Sequence, residues 1–310
     1  MDINPLLIIL GPTASGKTKL AVQLAEALDG EIISADSRQV YRDMDIGTGK
    51  DLGEYHIHRK DIPYHLINIR EAGGSYHVNA FKDDFYNIYA DLKLRNKVPV
   101  LCGGTGMYIH SILQQHQYTA IPVNEELRAA LPAYDLYALR DILSVYPVDS
   151  TAHADLSSAK RLVRAIEIAD YLQHHSFVAA IYPELNPLVI GLTGNVESRR
   201  ERILKRLNER FDAGLIDEVA ALLSSGLNAE TLIFYGLEYK FVTEYLQNKH
   251  TLADLKEKLY IAIRQFAKRQ MTFFRKMEKD GVQINWLDAD SGIEFLAAAV
   301  LKLYQENTRS

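Results

Sequence analysis

Residues 11–18 read Gly-Pro-Thr-Ala-Ser-Gly-Lys-Thr, a complete G-x-x-x-x-G-K-T between an apolar run and a helical pattern. Gly11 and Gly16 allow the backbone to approach closely. Successive amides and a helix N-terminus then face phosphate oxygens. Lys17 supplies a point charge, and the Thr18 hydroxyl is the expected Mg²⁺ ligand. The whole run Gly11, Pro12, Thr13, Ala14, Ser15, Gly16, Lys17 and Thr18 is therefore assigned to phosphate. The pattern does not say which phosphate, because ATP-binding hydrolases, nucleotide kinases and other diphosphate users share it.

A second feature narrows the choice. A hydrolase places an Asp at the end of a neighbouring strand to hold magnesium. Here Val98 to Leu101 runs instead into Cys102-Gly103-Gly104-Thr105-Gly106. The acid comes earlier, where Glu31 to Ser34 leads to Asp36, Ser37, Arg38 and Gln39. Residues just beyond strand C-termini line the ligand crevice of an open α/β sheet, so Asp36 should look across at the phosphate loop. Capping of its own turn is the competing role. Arg199, Arg202, Arg206 and Arg210 recur at spacings that put all four on one helical face, with Leu204, Leu207 and Phe211 as the neighbouring apolar stripe. Such a face suits an anionic ligand, or it pairs with acids such as Glu201 and Glu209.

The elements that must position these residues are legible as an α/β order. Leu6 to Leu10 reads as a buried parallel strand, and Leu20, Leu24 and Leu28 as a helix. Tyr64 to Ile69 reads as a further strand, and Val78 to Leu92 as an amphipathic helix ending before Pro99. Leu188 to Thr193 returns to strand. The stretch to Met277 is helical, and the tail from Asn307 is expected to fray. Residues 117–183 lack a strand signal and read as a helical insertion. The expectation is thus a P-loop-type, mainly parallel sheet flanked by helices, formed by 1–116 and 184–310, with that insertion domain.

The chain has 310 residues, 47% hydrophobic and 24% charged, with 35 Lys+Arg against 40 Asp+Glu, a globular composition with net charge −5. Its single cysteine, Cys102, excludes an internal disulfide and cysteine-cluster metal sites, and fits a reducing compartment, the cytoplasm by default. No signal peptide or membrane span is legible at the N-terminus. The mild acidity excludes unselective nucleic-acid binding but not a local basic face. His56, His58 and His65 lack the spacing of a metal site and read as surface histidines.

Taken together these segments resemble the tRNA dimethylallyltransferases, the isopentenyl-tRNA transferases of the IPP transferase family, over nearly the whole chain. The carriers are the loop at 11–18, SADSRQVYRDMDIGTGK at 34–50, GGTGMYI at 103–109, and Arg264-Gln265 with Ala267-Lys268-Arg269-Gln270 and Phe274-Arg275. Two places depart from the family pattern. Gly49-Lys50-Asp51 stands where Gly-Thr-Ala-Lys-Pro usually runs, and Tyr64 and Asn68 alter a His-His-Leu-Ile-Asp-Ile stretch.

The resemblance implies transfer of a dimethylallyl group from dimethylallyl diphosphate to N6 of the adenine beside the tRNA anticodon (position 37). Asp36 is then the base, Thr13 a ligand near the breaking bond, and Arg210, followed by Arg206, the diphosphate arginine. Ser37, Arg38, Gln39 and Thr105 would face the acceptor RNA. Lys160, Arg161 and Arg164, opposite Leu162, Ile166 and Ala169, would hold tRNA phosphates, as would Arg264, Lys268 and Arg269. Mg²⁺ is the implied cofactor, a monomer the implied state, and no membrane partner is implied. A free adenine nucleotide is the nearest alternative acceptor. A small-molecule kinase fits the P-loop alone, and a non-catalytic tRNA-binding paralogue does not explain why Thr13, Lys17, Thr18 and Asp36 occur together.

Overall fold

The computed structural model describes residues 5–114, 117–132, 135–152 and 154–309. Its strands are β1 (Leu6–Leu10), β2 (Gly30–Ser34), a small antiparallel hairpin of β3 (His56–Ile57) and β4 (Lys60–Asp61), β5 (Tyr64–His65), β6 (Val98–Gly103), β7 (Pro187–Thr193) and β8 (Asn285–Asp288). Six of them form one all-parallel sheet in the order β5-β2-β6-β1-β7-β8. Every residue of β1, β2 and β6 is buried. Burial on both faces is why β1 and β6 read as apolar runs rather than alternating, while β2 carries one buried acid, Glu31, that is paired with Arg95 and His65.

The helices of this unit are α1 (Lys17–Ala27), α2 (Val78–Leu94) and α3 (Gly106–Leu113), with further helices numbered after the insertion below. The chain divides into two compact units, Met1–Gln114 with Glu184–Ser310, and Gln115–Pro183. The boundary expected at 116 falls on residues 115 and 116, outside the described residues. The second unit holds α4 (Glu125–Ala130), α5 (Leu136–Ser144), α6 (Val148–Thr151) and α7 (Ala159–His174) around Leu139, Leu143, Leu162, Ala165, Ile166 and Ala169. The first unit resumes with α8 (Val196–Asp212), α9 (Leu215–Ser224), α10 (Ala229–Tyr235), α11 (Leu237–Leu246), α12 (Leu252–Lys279) and α13 (Ile293–Arg309).

One face of the sheet is covered by α1 and α13, whose Leu20, Leu24, Leu296 and Val300 pack on Leu7, Ile9, Ile32, Val100 and Ile190. Alternate residues, Leu6, Ile8, Leu10, Ile33 and Leu101, are equally buried because successive strand side chains point to opposite faces. There α2 packs against β2 and β6. Each such Leu or Ile contributes roughly 2 kcal/mol by leaving water.

Several expectations need correction. The strand predicted over Tyr64 to Ile69 pairs only at Tyr64 and His65. Leu66 and Asn68 adopt left-handed backbone, φ 63° and 57°, which ends the extended run. On α8, Leu207 is buried as predicted, but Leu204 is exposed and Ile203 takes its place in the buried stripe. The tail does not fray at Asn307, since α13 continues through Arg309. Neither β8 nor α13 was anticipated. No helix among the described residues is long and apolar enough to cross a membrane.

Candidate active site

Because β2, β6 and β1 are adjacent and parallel, the loops leaving their C-terminal ends lie side by side. They carry Asp36, the Gly103-Gly104-Thr105-Gly106 turn and the phosphate loop respectively. In the phosphate loop Ala14 and Gly16 are left-handed, φ 58° and 81°. Gly16 caps α1 without a side-chain hydrogen bond, leaving the first amides of the helix free for an anion. The Ser15 hydroxyl is buried with no partner among the described residues. Burial lowers the Lys17 pKa, with Arg206 adding to the effect and Asp36 opposing it. A diphosphate would relieve that cost by supplying the missing counter-charge. Cys102 sits at the end of β6 with its thiol pushed up to about 12 by burial, an inert packing group.

Asp36 takes both of the roles open to it. Its Oδ1 accepts from the Arg38 N–H at 2.9 Å and, more weakly, from the Gln39 N–H at 3.4 Å, so it caps its turn. It also lines a pocket of about 50 Å³ with Thr13, Lys17, Thr18, Gln39, Arg206 and Arg210. The capping bonds orient the carboxylate, while Oδ2 accepts no hydrogen bond from the described residues. Ser37 donates its N–H to Thr105 Oγ1 at 3.1 Å, and the Thr105 N–H donates to the Ala35 carbonyl at 3.1 Å, tying the acid loop to the glycine turn. Gln39 accepts from the Ser34 hydroxyl and donates to the Gly49 carbonyl. Arg38 reaches outward, donating to the Phe234 carbonyl at 2.9 Å with its guanidinium 5.2 Å from the Phe234 ring centroid.

A larger cavity of about 790 Å³ opens between residues 14–19 of the phosphate loop and the α8 cations Arg202, Lys205, Arg206 and Arg210. The four arginines are not a bare solvated face. Arg202 donates to the Ala14 carbonyl at 2.9 Å and pairs with Asp290 at 2.7 Å. Arg206 pairs with Asp51, and Arg210 with Glu238 at 2.8 Å. Arg199 carries a lowered pKa, through burial first and then the neighbouring Arg202 and Arg200. Arg210 Nε is buried and unpaired among the described residues. Glu54, also at the cavity, is raised by burial and then by Asp51.

Comparison with known proteins agrees with this geometry. The profile of the IPP transferase family matches residues 39–277, and that of the isopentenyl transferases residues 4–60. The chain belongs to the IPP transferase family. Among its relatives, tRNA dimethylallyltransferase 1 of Parabacteroides distasonis is 48% identical over 303 residues, 98% of each chain. The tRNA dimethylallyltransferase 2 of Syntrophotalea carbinolica is 50% identical over 283 residues, 91% of this chain and 94% of that one. The crystal structure of the full-length tRNA isopentenylpyrophosphate transferase from Bacillus halodurans matches with a TM-score of 0.71 at 32% identity, over 99% of this chain and 98% of that one. A eukaryotic dimethylallyltransferase acting on tRNA shares the fold, TM-score 0.75 at 22% identity, over 98% of this chain and 80% of that one.

On this IPP transferase scaffold the remaining predicted residues divide by exposure. On α12, Lys268 and Arg269 are exposed and Arg264 is half-buried beside the Tyr260 ring. In the insertion Lys160 and Arg161 are exposed, the latter paired with Asp155 at 2.9 Å. Arg164 is held inward by the Tyr118, Ile121 and Pro122 carbonyls and by Glu167, a structural setting. The three histidines pair with acids: His56 with Asp61, His58 with Glu26 and His65 with Glu31.

Three functional supports were not singled out from the sequence. Glu218 accepts three successive amides, from Asp45, Ile46 and Gly47 at 2.7–2.9 Å, and the Tyr239 hydroxyl at 2.7 Å. This seats the loop whose Asp51 faces Arg206. Lys50 is fully buried, donating to the Tyr41 carbonyl at 2.6 Å and to Asp45 and Asn68. Gln270 joins the phosphate loop to the glycine turn. Lys50 and Gln270 lie in segments that carry the family resemblance, and Gln270 is also a polar residue within an apolar helical stripe, whereas Glu218 left no such signal.

Proposed function

We propose that this chain transfers a dimethylallyl group from dimethylallyl diphosphate to N6 of the adenine next to the tRNA anticodon, releasing diphosphate. One observation carries the reading beyond family membership. A phosphate loop, a capped carboxylate and two arginines line a common pocket, which is what a reaction with an anionic leaving group and a weakly basic nucleophile requires.

Cleavage of the C–O bond puts negative charge on the leaving diphosphate. Lys17, the loop amides, Arg206 and Arg210 stabilise that charge, and Thr13 binds an oxygen near the breaking bond. The adenine amino group is a poor nucleophile because its lone pair is delocalised. Asp36 accepts its proton as the N–C bond forms, which keeps charge from building on the ring. Thr18 lines both pockets at the phosphate loop, where a hydroxyl beside phosphate oxygens suits Mg²⁺, a hard cation that takes oxygen ligands. Among the described residues no group of three or more His, Cys, Asp or Glu side chains forms a separate metal site. Thr18 would hold the ion, which would supply positive charge to offset that of the leaving group.

The acceptor base must leave its stack to reach Asp36, at a cost of a few kcal/mol. Gln39 lines the pocket beside Asp36, and Ser37, Arg38 and Thr105 belong to the same loop pair, where they would read a flipped base. Lys268 and Arg269 on α12, and Lys160 and Arg161 on α7, contact RNA phosphates. The enzyme acts as a monomer in the cytoplasm. The deciding experiment incubates the protein with labelled dimethylallyl diphosphate and, separately, unmodified tRNA, AMP or ATP. Label in tRNA is the expected result, and label in AMP or ATP but not in tRNA would overturn it.

A further inference from the structure

The buried stripe of α12 runs through Leu255, Leu259, Ile263, Ala267, Gln270, Phe274 and Met277, apolar at every position but one. Gln270 is 8% exposed. A buried primary amide must find partners, and here they dictate its orientation. Oε1 accepts from the Thr13 N–H at 2.9 Å, and Nε2 donates to the Gly104 carbonyl at 3.0 Å. A Cβ on Gly104 would stand 2.5 Å from Nε2, so a side chain there would displace the amide from its bond. The neighbouring Thr105 is bonded in turn to Ala35 and Ser37, the residues on either side of Asp36.

We propose that Gln270 is a positioning residue: its side-chain amide sets the separation between the phosphate loop that holds the donor and the loop pair that carries Asp36. The proposal rests on the reading of this site as a dimethylallyltransferase. Gln270 itself touches neither substrate. It spans two backbones, so the distance from leaving group to base follows from the length of one amide. A shift of about 1 Å between reacting groups is enough to cost roughly 10²-fold in rate.

Two variants of the full chain test this. Gln270→Met keeps length and burial but makes neither bond. Its kcat should fall by roughly 10- to 100-fold, with KM for donor and for tRNA changed by no more than about 2-fold. Gln270→Glu differs in a telling way. A neutral carboxyl reproduces both bonds, its carbonyl accepting from Thr13 and its O–H donating to Gly104, whereas a carboxylate cannot donate. Lowering the pH from about 8 to about 6 should therefore restore Gln270→Glu relative to the parent protein, and leave Gln270→Met slow. Hydrogen exchange at the Thr13 amide reads the bridge without turnover: protected in the parent, faster in Gln270→Met. Wild-type kcat in Gln270→Met, or equal Thr13 protection in both proteins, overturns the proposal. A parent protein that leaves tRNA unlabelled while the Thr13 exchange differs as stated refutes the functional reading and leaves the bridge standing. A loss confined to Tm, with kcat per folded molecule unchanged and no recovery of Gln270→Glu, assigns Gln270 to packing alone.

Discussion

Replacing Asp36 by Asn separates its two roles, because the capping bonds use Oδ1 and the proton-accepting role falls to the carboxylate. An asparagine retains a carbonyl oxygen for the Arg38 N–H, now at 2.9 Å, and so preserves the turn. It cannot accept a proton at neutral pH. Losing a positioned general base costs roughly 10²-fold or more, about 2.7 kcal/mol of transition-state stabilisation. Asp36→Ala removes the cap as well, about 1 kcal/mol, which for a chain of this size lowers Tm by about 2 °C. Single-turnover transfer from labelled donor to saturating tRNA measures the chemical step, and filter binding measures tRNA affinity. Both variants should be slow with near-normal tRNA binding, and only Ala should lose Tm. An Asp36→Asn protein within about 3-fold of the parent rate, beside a slow Asp36→Ala, would refute the base assignment and leave Asp36 a capping residue.

Glu31 is buried at the start of β2 and its carboxyl is held down to about 2, by hydrogen bonding to Arg95 first and to His65 in addition. A depressed carboxyl contributes stability above its unfolded pKa, and that contribution is lost as pH falls from about 4.5 towards 2. With Arg95 partly exposed, the contribution is worth about 1–2 kcal/mol. Glu31→Gln should therefore lower Tm at neutral pH and flatten its fall in acid, and a variant whose Tm tracks the parent at every pH would remove Glu31 as the source. Replacing Lys268 and Arg269 by Ala should weaken tRNA binding at low salt and reduce the slope of log K against log salt by about 1.5, as for two lost phosphate contacts. An unchanged slope would place the RNA elsewhere.

How much of this was legible in the sequence depends on how local each determinant is. The phosphate loop announces itself because its glycines, lysine and threonine fall within eight consecutive residues. Asp36 is legible because a strand C-terminus places whatever follows it. α13 also carried a readable stripe in Leu296, Val300 and Tyr304, at helical spacing. β8 did not, since four residues at a sheet edge, Asn-Trp-Leu-Asp, show neither alternation nor an apolar run. On α8 the adjacent Ile203 and Leu204 are equally apolar, and only tertiary packing decides which one turns inward. Glu218 lies 171 to 173 residues from the amides it accepts, a relation no spacing rule contains. The net charge of −5 likewise conceals the arrangement, because acids such as Asp51, Glu238 and Asp290 are each paired to an α8 arginine.

The two departures at 49 and 51 from the family's more usual Gly-Thr-Ala-Lys-Pro belong to one adjustment. Gly49 is left-handed, φ 62°, and a Cβ built on it would lie 1.8 Å from an Arg210 guanidinium nitrogen and 3.1 Å from one of Arg206. The arginine therefore occupies the volume an alanine would fill, and Glu238 anchors it there. Two residues on, Asp51 takes a position proline could not use, because its φ of 46° is closed to a pyrrolidine ring, and its carboxylate pairs with Arg206. A proline there would have neither the backbone nor the charge. Both departures thus fall on the two arginines assigned to the leaving diphosphate, and neither touches the phosphate loop or Asp36. They change how these two cations are held, through Glu238 and Asp51, and leave the residues of the phosphate loop and Asp36 themselves unaltered. If Arg206 binds the diphosphate as proposed, its pairing with Asp51 must yield to that ligand. That exchange replaces one carboxylate by a more highly charged anion, which favours the bound state.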